Sequence, residues 1–140
     1  MKAVVKRIQG MALAAKADSN HWLTMDAAET NGGMDAGSRP VELILMGLGG
    51  CTSMDVLSIL QKKRVTLDDY EVLIEADRAE DHPKVFNQIK LKFIFYGKNI
   101  PEEAVKRAIE LSETKYCSVS AMLSKTATIT VEYEIKEQRS

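Results

Sequence analysis

A chain of 140 residues, 45% of them hydrophobic, is long enough for one domain with its own core. Its 19 basic and 20 acidic residues leave a formal net charge of −1, which excludes bulk electrostatic attraction to nucleic acid or to anionic lipid. The N-terminal run Met1-Lys2-Ala3-Val4-Val5-Lys6-Arg7 breaks its apolar residues with charges, so no secretion signal and no membrane span are expected, and a cytoplasmic location follows. In that compartment a permanent structural disulfide is not expected, and the two cysteines are there either for packing or for chemistry.

In chain order, residues 4–8, 11–14 and 21–25 are short runs of strand character, separated by Gly10 and by Asp18-Ser19-Asn20, and they predict a three-stranded antiparallel meander. Residues 29–38, centred on Asn31-Gly32-Gly33, read as a loop. Pro40 suits the first turn of a helix, where its missing N–H costs nothing, and Glu42 falls where the dipole favours negative charge. Apolar residues then fill nearly every position to Leu60, and Gln61-Lys62-Lys63-Arg64 puts cations at the C-terminal end. A helix this apolar on all sides must be buried on most of them. One small domain cannot enclose it, so a second subunit is expected to help cover it.

Residues 70–76 and 88–95 alternate polar and apolar positions, as strands with one wet face do, and Asp81-His82-Pro83 lies in the connection that makes them a hairpin. Pro101-Glu102-Glu103 begins a helix with an acidic first turn, and Ala104, Val105, Ala108, Ile109 and Leu111 follow at helical spacing. A short second helix is predicted from Ser118, and residues 126–135 form the last strand. The order is βββ-α-ββ-αα-β, an α+β chain. It reads as a single domain over residues 1–140, with no repeat, low-complexity segment or internal boundary.

Cys51 stands in Gly49-Gly50-Cys51-Thr52-Ser53-Met54-Asp55-Val56, inside the apolar helix, and Cys117 in Lys115-Tyr116-Cys117-Ser118-Val119-Ser120, at a helix start. A reactive thiol needs a nearby cation, hydrogen-bond donors or a helix N-terminus to favour its thiolate. If the helix from Pro40 is continuous, Cys51 lies about three turns in, beyond the reach of the dipole. A break at Gly49-Gly50 would start a new N-terminus at Cys51; alternatively the glycines only allow close packing and the activating charge comes from elsewhere. Cys117 has Ser118 or Ser120 as caps and Lys115 beside it, so local physics alone could make it the more acidic thiol. Against both stands the simpler role of cysteine as a small buried hydrophobe. The two are far apart in the chain, so no C-x-x-C motif is present. His21 and His82 lack second ligands at local spacing, and neither a metal nor a cofactor is expected. Met34, Met46, Met54 and Met122 either fill gaps in a core or line an apolar pocket near the thiols. Tyr116 and Trp22 read first as core or interface residues, and Lys62-Lys63-Arg64 as a solvated helix end.

Pro40-Val41-Glu42-Leu43 through Gly49-Gly50-Cys51-Thr52, followed at long range by Tyr116-Cys117-Ser118-Val119, resembles the osmotically inducible protein C (OsmC) family, which includes the organic hydroperoxide resistance (Ohr) proteins. The Gly-Gly-Cys-Thr-x-Met-Asp-Val version is similar to the family's less characterised OsmC-like branch. The resemblance covers the whole chain and implies the OsmC-like fold as an intertwined homodimer, with a buried central helix and two active sites at the subunit interface. It also implies a peroxidase without metal, haem or flavin. Cys51 would be the peroxidatic residue, attacking an organic hydroperoxide as a thiolate and becoming a sulfenic acid. Cys117 would be the resolving residue that condenses with it to a disulfide, and a dithiol such as a lipoylated protein would restore both.

The same resemblance implies an arginine on an early strand that holds the thiolate, and a glutamate just after the helix-starting proline that orients that arginine. Residues 11–25 contain Lys16 but no arginine, so Arg39, bordering the loop into the helix, is the candidate cation. Glu42 is the candidate carboxylate, displaced by one position. On an unbroken helix Glu42 and Cys51 point to roughly opposite faces, and they would share a site only through a break in the helix or through the dimer. The missing strand arginine keeps two other functions open: a carrier of an apolar small molecule in the same interface pocket, and a redox sensor whose cysteines form a reversible disulfide. The expected partners are a second copy of the chain, an organic hydroperoxide or other apolar small molecule, and a dithiol reductant, with no nucleic acid and no membrane.

Overall fold

Three short strands open the chain: β1 (Ala3–Gln9), β2 (Ala12–Ala17) and β3 (Leu23–Met25). Gly10, at φ +55°, makes the tight turn between the first two in a conformation that a side chain would strain. The sheet order is β1-β2-β3 with both pairs antiparallel, Lys6 opposite Ala14 and Ala14 opposite Thr24, which is the expected meander. The structure, a computed structural model, describes residues 1–139. They form two compact units, Met1–Met46 and the residues from Gly47 onward. The boundary falls inside the long helix α1 (Pro40–Lys62), at the start of its Gly47-Leu48-Gly49-Gly50 stretch, with no loop between the units.

In the first unit the loop after β3 is organised by one carboxylate. Asp26 is buried and accepts backbone N–H groups from Ala27 at 2.8 Å, Met34 at 3.0 Å and Ala36 at 3.1 Å. These donors hold its carboxyl below the ordinary range, with Ala36 contributing most. Gly33 is required in this loop because a Cβ there would overlap the Ala27 carbonyl. Residues 29–31 add a single 3-10 turn, Glu29–Asn31, that the loop reading did not anticipate.

Helix α1 is continuous through Gly47, Gly49 and Gly50. The broken-helix alternative therefore fails, and Cys51 does not sit at a helix N-terminus. Within the second unit, Leu48, Thr52, Val56 and Leu60 form a buried stripe at i, i+4 spacing. Gly49 lies in the same contact: a Cβ there would meet Ile74 Cδ1 at 2.6 Å and Val72 Cγ1 at 3.5 Å, so the glycine admits strand β4 (Asp69–Arg78) close to the helix. Gly50 faces open space, and Met54 and Leu57 are exposed. By length and composition alone α1 is also long and apolar enough to cross a membrane, a property outside the reach of a reading based on the N-terminal residues.

Strand β4 pairs antiparallel with β5 (Phe86–Tyr96), Ile74 opposite Leu91, and β6 (Thr128–Lys136) pairs parallel with β5, Leu91 opposite Val131. The order β4-β5-β6 makes β5 central. A parallel neighbour needs a crossover, supplied by α2 (Glu102–Leu111), a π-helical turn (Ser112–Tyr116) and α3 (Ser118–Leu123). The observed order is thus βββ-α-ββ-αα-β with one unforeseen turn between the last two helices. β5 departs from the expected wet face in its second half, where Phe93, Ile94, Phe95 and Tyr96 are all buried. A central strand has no free edge, and this one carries the core on both faces. Tyr70 of β4 joins it, its ring 5.3 Å from Phe95 and 6.4 Å from Phe93.

Candidate functional site

The second unit brings the two cysteines together. Cys51 Sγ, Cys117 Sγ and a carboxylate oxygen of Asp55 all lie within 4.8 Å of one another. Cys51 and Asp55 are four residues apart on the unbroken helix and so share a face. Cys117 is presented from the opposite side by an unusual helix end. Past Leu111, α2 widens into the π turn, closed by the Cys117 N–H donating to the Ser112 carbonyl at 2.9 Å. Such turns occur frequently at functional sites. Cys117 then caps α3: its Sγ accepts the Ser120 N–H at 3.3 Å, a place more often taken by Ser, Thr, Asp or Asn. Both thiols are free; Cys117 is buried and Cys51 half-buried.

Burial pushes the Cys117 thiol up to about 12; the N–H groups of Ser120 and Val119 oppose this, while the neighbouring Cys51 adds to it. The donors that could have made Cys117 the more acidic thiol are present, and desolvation outweighs them. Lys115 instead lies over the Tyr116 ring, 5.3 Å from its centroid.

Two hydroxyls support the cluster. Ser112, fully buried, donates to Asp55 Oδ2 at 3.1 Å, and Ser120 donates to Glu113 Oε2 at 3.2 Å. Burial raises the Glu113 carboxyl above the ordinary range, and its Oε1 is buried without a hydrogen-bond partner. Ser53, two residues after Cys51, accepts the Tyr70 hydroxyl at 3.0 Å, and burial pushes that phenol up to about 12. Beside Asp55 opens a cavity of about 340 Å³, walled by Ile59, Leu111 and Tyr116 and edged by Lys62 and Lys63.

Arg39 and Glu42 belong to the first unit and meet each other there. Glu42 Oε2 accepts the Arg39 backbone N–H at 2.8 Å, the reach-back half of a capping box that fixes the start of α1. The Arg39 guanidinium donates to the Gly37 carbonyl at 2.9 Å and pairs with Asp35 at 2.5 Å. That pairing holds the arginine's pKa above its ordinary value. The four methionines named as core or pocket residues, Met34, Met46, Met54 and Met122, are all exposed in the single chain. Trp22 is half exposed, and Tyr116 walls the cavity.

Asp55, Ser112 and Glu113 are the residues that the sequence reading passed over. For Asp55 the signal was available, since a carboxylate four residues after a cysteine on a helix shares its face. Ser112 and Glu113 reach the site through the π turn, which leaves no mark in hydrophobic periodicity.

An α+β chain whose two cysteines face each other between a long helix and a helix start defines a class of dithiol protein. The chain belongs to the OsmC-like protein family, whose family model matches residues 32–132. It is similar to Protein YhfA of Escherichia coli (strain K12), 42% identical over 135 residues that cover 96% of this chain and 98% of that protein. Among solved structures it resembles a hypothetical protein from Aquifex aeolicus VF5, with 30% identity and a TM-score of 0.85 over 99% of this chain and 97% of that one. It also shares its fold, at 13% identity and a TM-score of 0.69, with an organic hydroperoxide resistance protein OsmC from Legionella pneumophila, over 96% of this chain and 97% of that one. The α+β, OsmC-like fold implied by the cysteine contexts is therefore the fold observed.

Proposed function

We propose that this chain is a thiol-dependent peroxidase that reduces organic hydroperoxides through Cys51 and Cys117. The observation that carries the reading is the approach of the two sulfurs to within 4.8 Å, one half-buried and one buried. The Cys51 thiolate attacks the distal peroxide oxygen and the O–O bond breaks; the leaving alkoxide takes a proton and departs as the alcohol. Cys51 is now a sulfenic acid. The Cys117 sulfur displaces hydroxide from the Cys51 sulfur, the disulfide forms, and water leaves with the Cys117 proton. A dithiol such as a lipoylated protein returns both thiols by exchange and is itself oxidised.

Burial favours this division of roles. Cys51 is open enough to meet a hydroperoxide, whereas Cys117 is enclosed and its proton tightly held, which disfavours it as the thiol that attacks the peroxide first. Cys51 is about three turns into an unbroken α1, beyond the reach of its dipole, so in this reading the activating cation is a side chain, Arg39 with Glu42 to orient it, brought to the thiol through the dimer. The Legionella relative, named for organic hydroperoxide resistance, supports the substrate class. A reducing cytoplasm suits a cycle regenerated by a dithiol.

The assembly in this reading is a homodimer. Met54 and Leu57 of α1 are exposed, and Gly50 meets nothing, although glycine in an exposed helix costs about 0.5–1 kcal/mol relative to alanine. Close approach of a second copy accounts for both. Sedimentation equilibrium should show a dimer at micromolar concentration, and Gly50→Leu should shift it towards monomer; a wild-type monomer at that concentration overturns the assembly.

With dihydrolipoamide in excess, the reduced chain should consume cumene hydroperoxide continuously. Cys51→Ser should lower that rate by at least roughly a hundredfold, since it removes the nucleophile. Equal rates in the two proteins would refute the peroxidase. The lack of arginine in residues 11–25 favours one second reading, a non-catalytic small-molecule binder or redox sensor in the same pocket. A disulfide that forms once and does not turn over with the dithiol identifies it.

A further inference from the structure

We infer that the reduced Cys51–Asp55–Cys117 cluster is a binding site for one thiophilic divalent cation of the zinc class. The three ligand atoms lie within 4.8 Å of one another. In a tetrahedral zinc site with Zn–S bonds near 2.3 Å, ligand atoms stand about 3.8 Å apart, so small side-chain rotations bring this set to bonding distance. The set is chemically suited to the ion, with two soft sulfurs and a carboxylate. It contains no histidine, and its third ligand, Cys117, is remote in sequence from the Cys51–Asp55 pair, which is why the usual motifs do not reveal it.

The supporting groups are those of a metal site. Cys51 and Asp55 project from one face of a rigid, continuous helix, and Cys117 is fixed by the π turn and by the Ser120 N–H. Ser112 donates to Asp55 Oδ2 at 3.1 Å, which orients the carboxylate as outer-shell donors orient metal ligands. Three protein ligands leave a fourth position for water, and Asp55 also lines the cavity of about 340 Å³. Binding replaces the two thiol protons and releases them to solvent. A disulfide between the same sulfurs removes both thiolate ligands, so the ion and the oxidised state exclude each other.

The inference does not depend on peroxidase turnover, and its test reads metal directly. Cd²⁺ added to the reduced, full-length protein should produce a thiolate-to-cadmium absorption band in the near ultraviolet that saturates at one ion per chain. Zn²⁺ should displace it. Cys51→Ser and Cys117→Ser should each reduce the band, and protein oxidised with diamide should give none. Asp55→Asn, which keeps both thiols and the side-chain shape, should weaken Zn²⁺ binding at least tenfold, and Ser112→Ala about tenfold, both measured against a competing chelator. Circular dichroism confirms that each variant is folded. No band in the wild type, or Zn²⁺ affinity unchanged by Asp55→Asn, overturns the site. A protein that binds Zn²⁺ as described but leaves hydroperoxide unconsumed retains the metal site and loses the peroxidase.

Discussion

In Cys117→Ser, one equivalent of organic hydroperoxide without reductant should leave Cys51 as a sulfenic acid that a dimedone-type reagent captures, nearly quantitatively. The wild type resolves this species because a second sulfur waits within 4.8 Å, and a serine hydroxyl cannot take that place. In the reverse variant, Cys51→Ser, Cys117 should stay unlabelled. It is only 3% exposed, and burial holds its thiol at about 12, so at neutral pH almost none of it is the reactive thiolate. Mass spectrometry locates the label. A label on Cys117 in Cys51→Ser, with none on Cys51 in Cys117→Ser, would invert the roles and make the helix-start donors of α3 decisive after all.

The second large effect is on stability. Phe93 is fully buried in the central strand β5, its ring 6.4 Å from those of Phe95 and Tyr70. Phe93→Ala removes that ring from a close-packed environment that cannot collapse without moving the strand, at a cost of about 3–5 kcal/mol. Against a total stability of about 5–15 kcal/mol, that is a large share. Thermal unfolding should shift down by roughly 10–20 °C. Leu73→Ala on β4, half exposed, is the control and should move the midpoint little. A Phe93→Ala midpoint within a few degrees of wild type would mean that β5 is not the core strand.

The elements that were legible in the sequence are those whose signal is local. Gly10, Pro40, Pro101 and the alternation along β4 and β6 set the strand and helix order, because turn chemistry and periodicity act over a few residues. The cysteine contexts carried the family. What escaped depends on contacts between distant segments. The need for glycine at position 49 of α1 is set by Ile74, which fills the space a side chain would take. The second half of β5 reads as half-wet yet is buried, and its central place, with β6 parallel on its far edge, depends on the α2–α3 crossover, which periodicity does not reveal. The π turn that aims Cys117 has no signature of its own, and Ser112 reaches Asp55 only through it. Arg39 is the candidate cation because residues 11–25 contain no arginine. Its observed partners, Asp35, Gly37 and Glu42, show that it also stabilises the entry into α1, so Arg39→Ala would disturb that entry as well as any site cation.

The most direct test of the thiol pair is a single turnover. Reduced protein is mixed with one equivalent of cumene hydroperoxide and no dithiol, quenched with an alkylating reagent and mapped by peptide mass. Conversion of hydroperoxide to alcohol one for one, with loss of both free thiols and a Cys51–Cys117 disulfide within the chain, is the expected result. Both cysteines recovered alkylated with the hydroperoxide intact, or a disulfide joining Cys51 of two chains in its place, would contradict it.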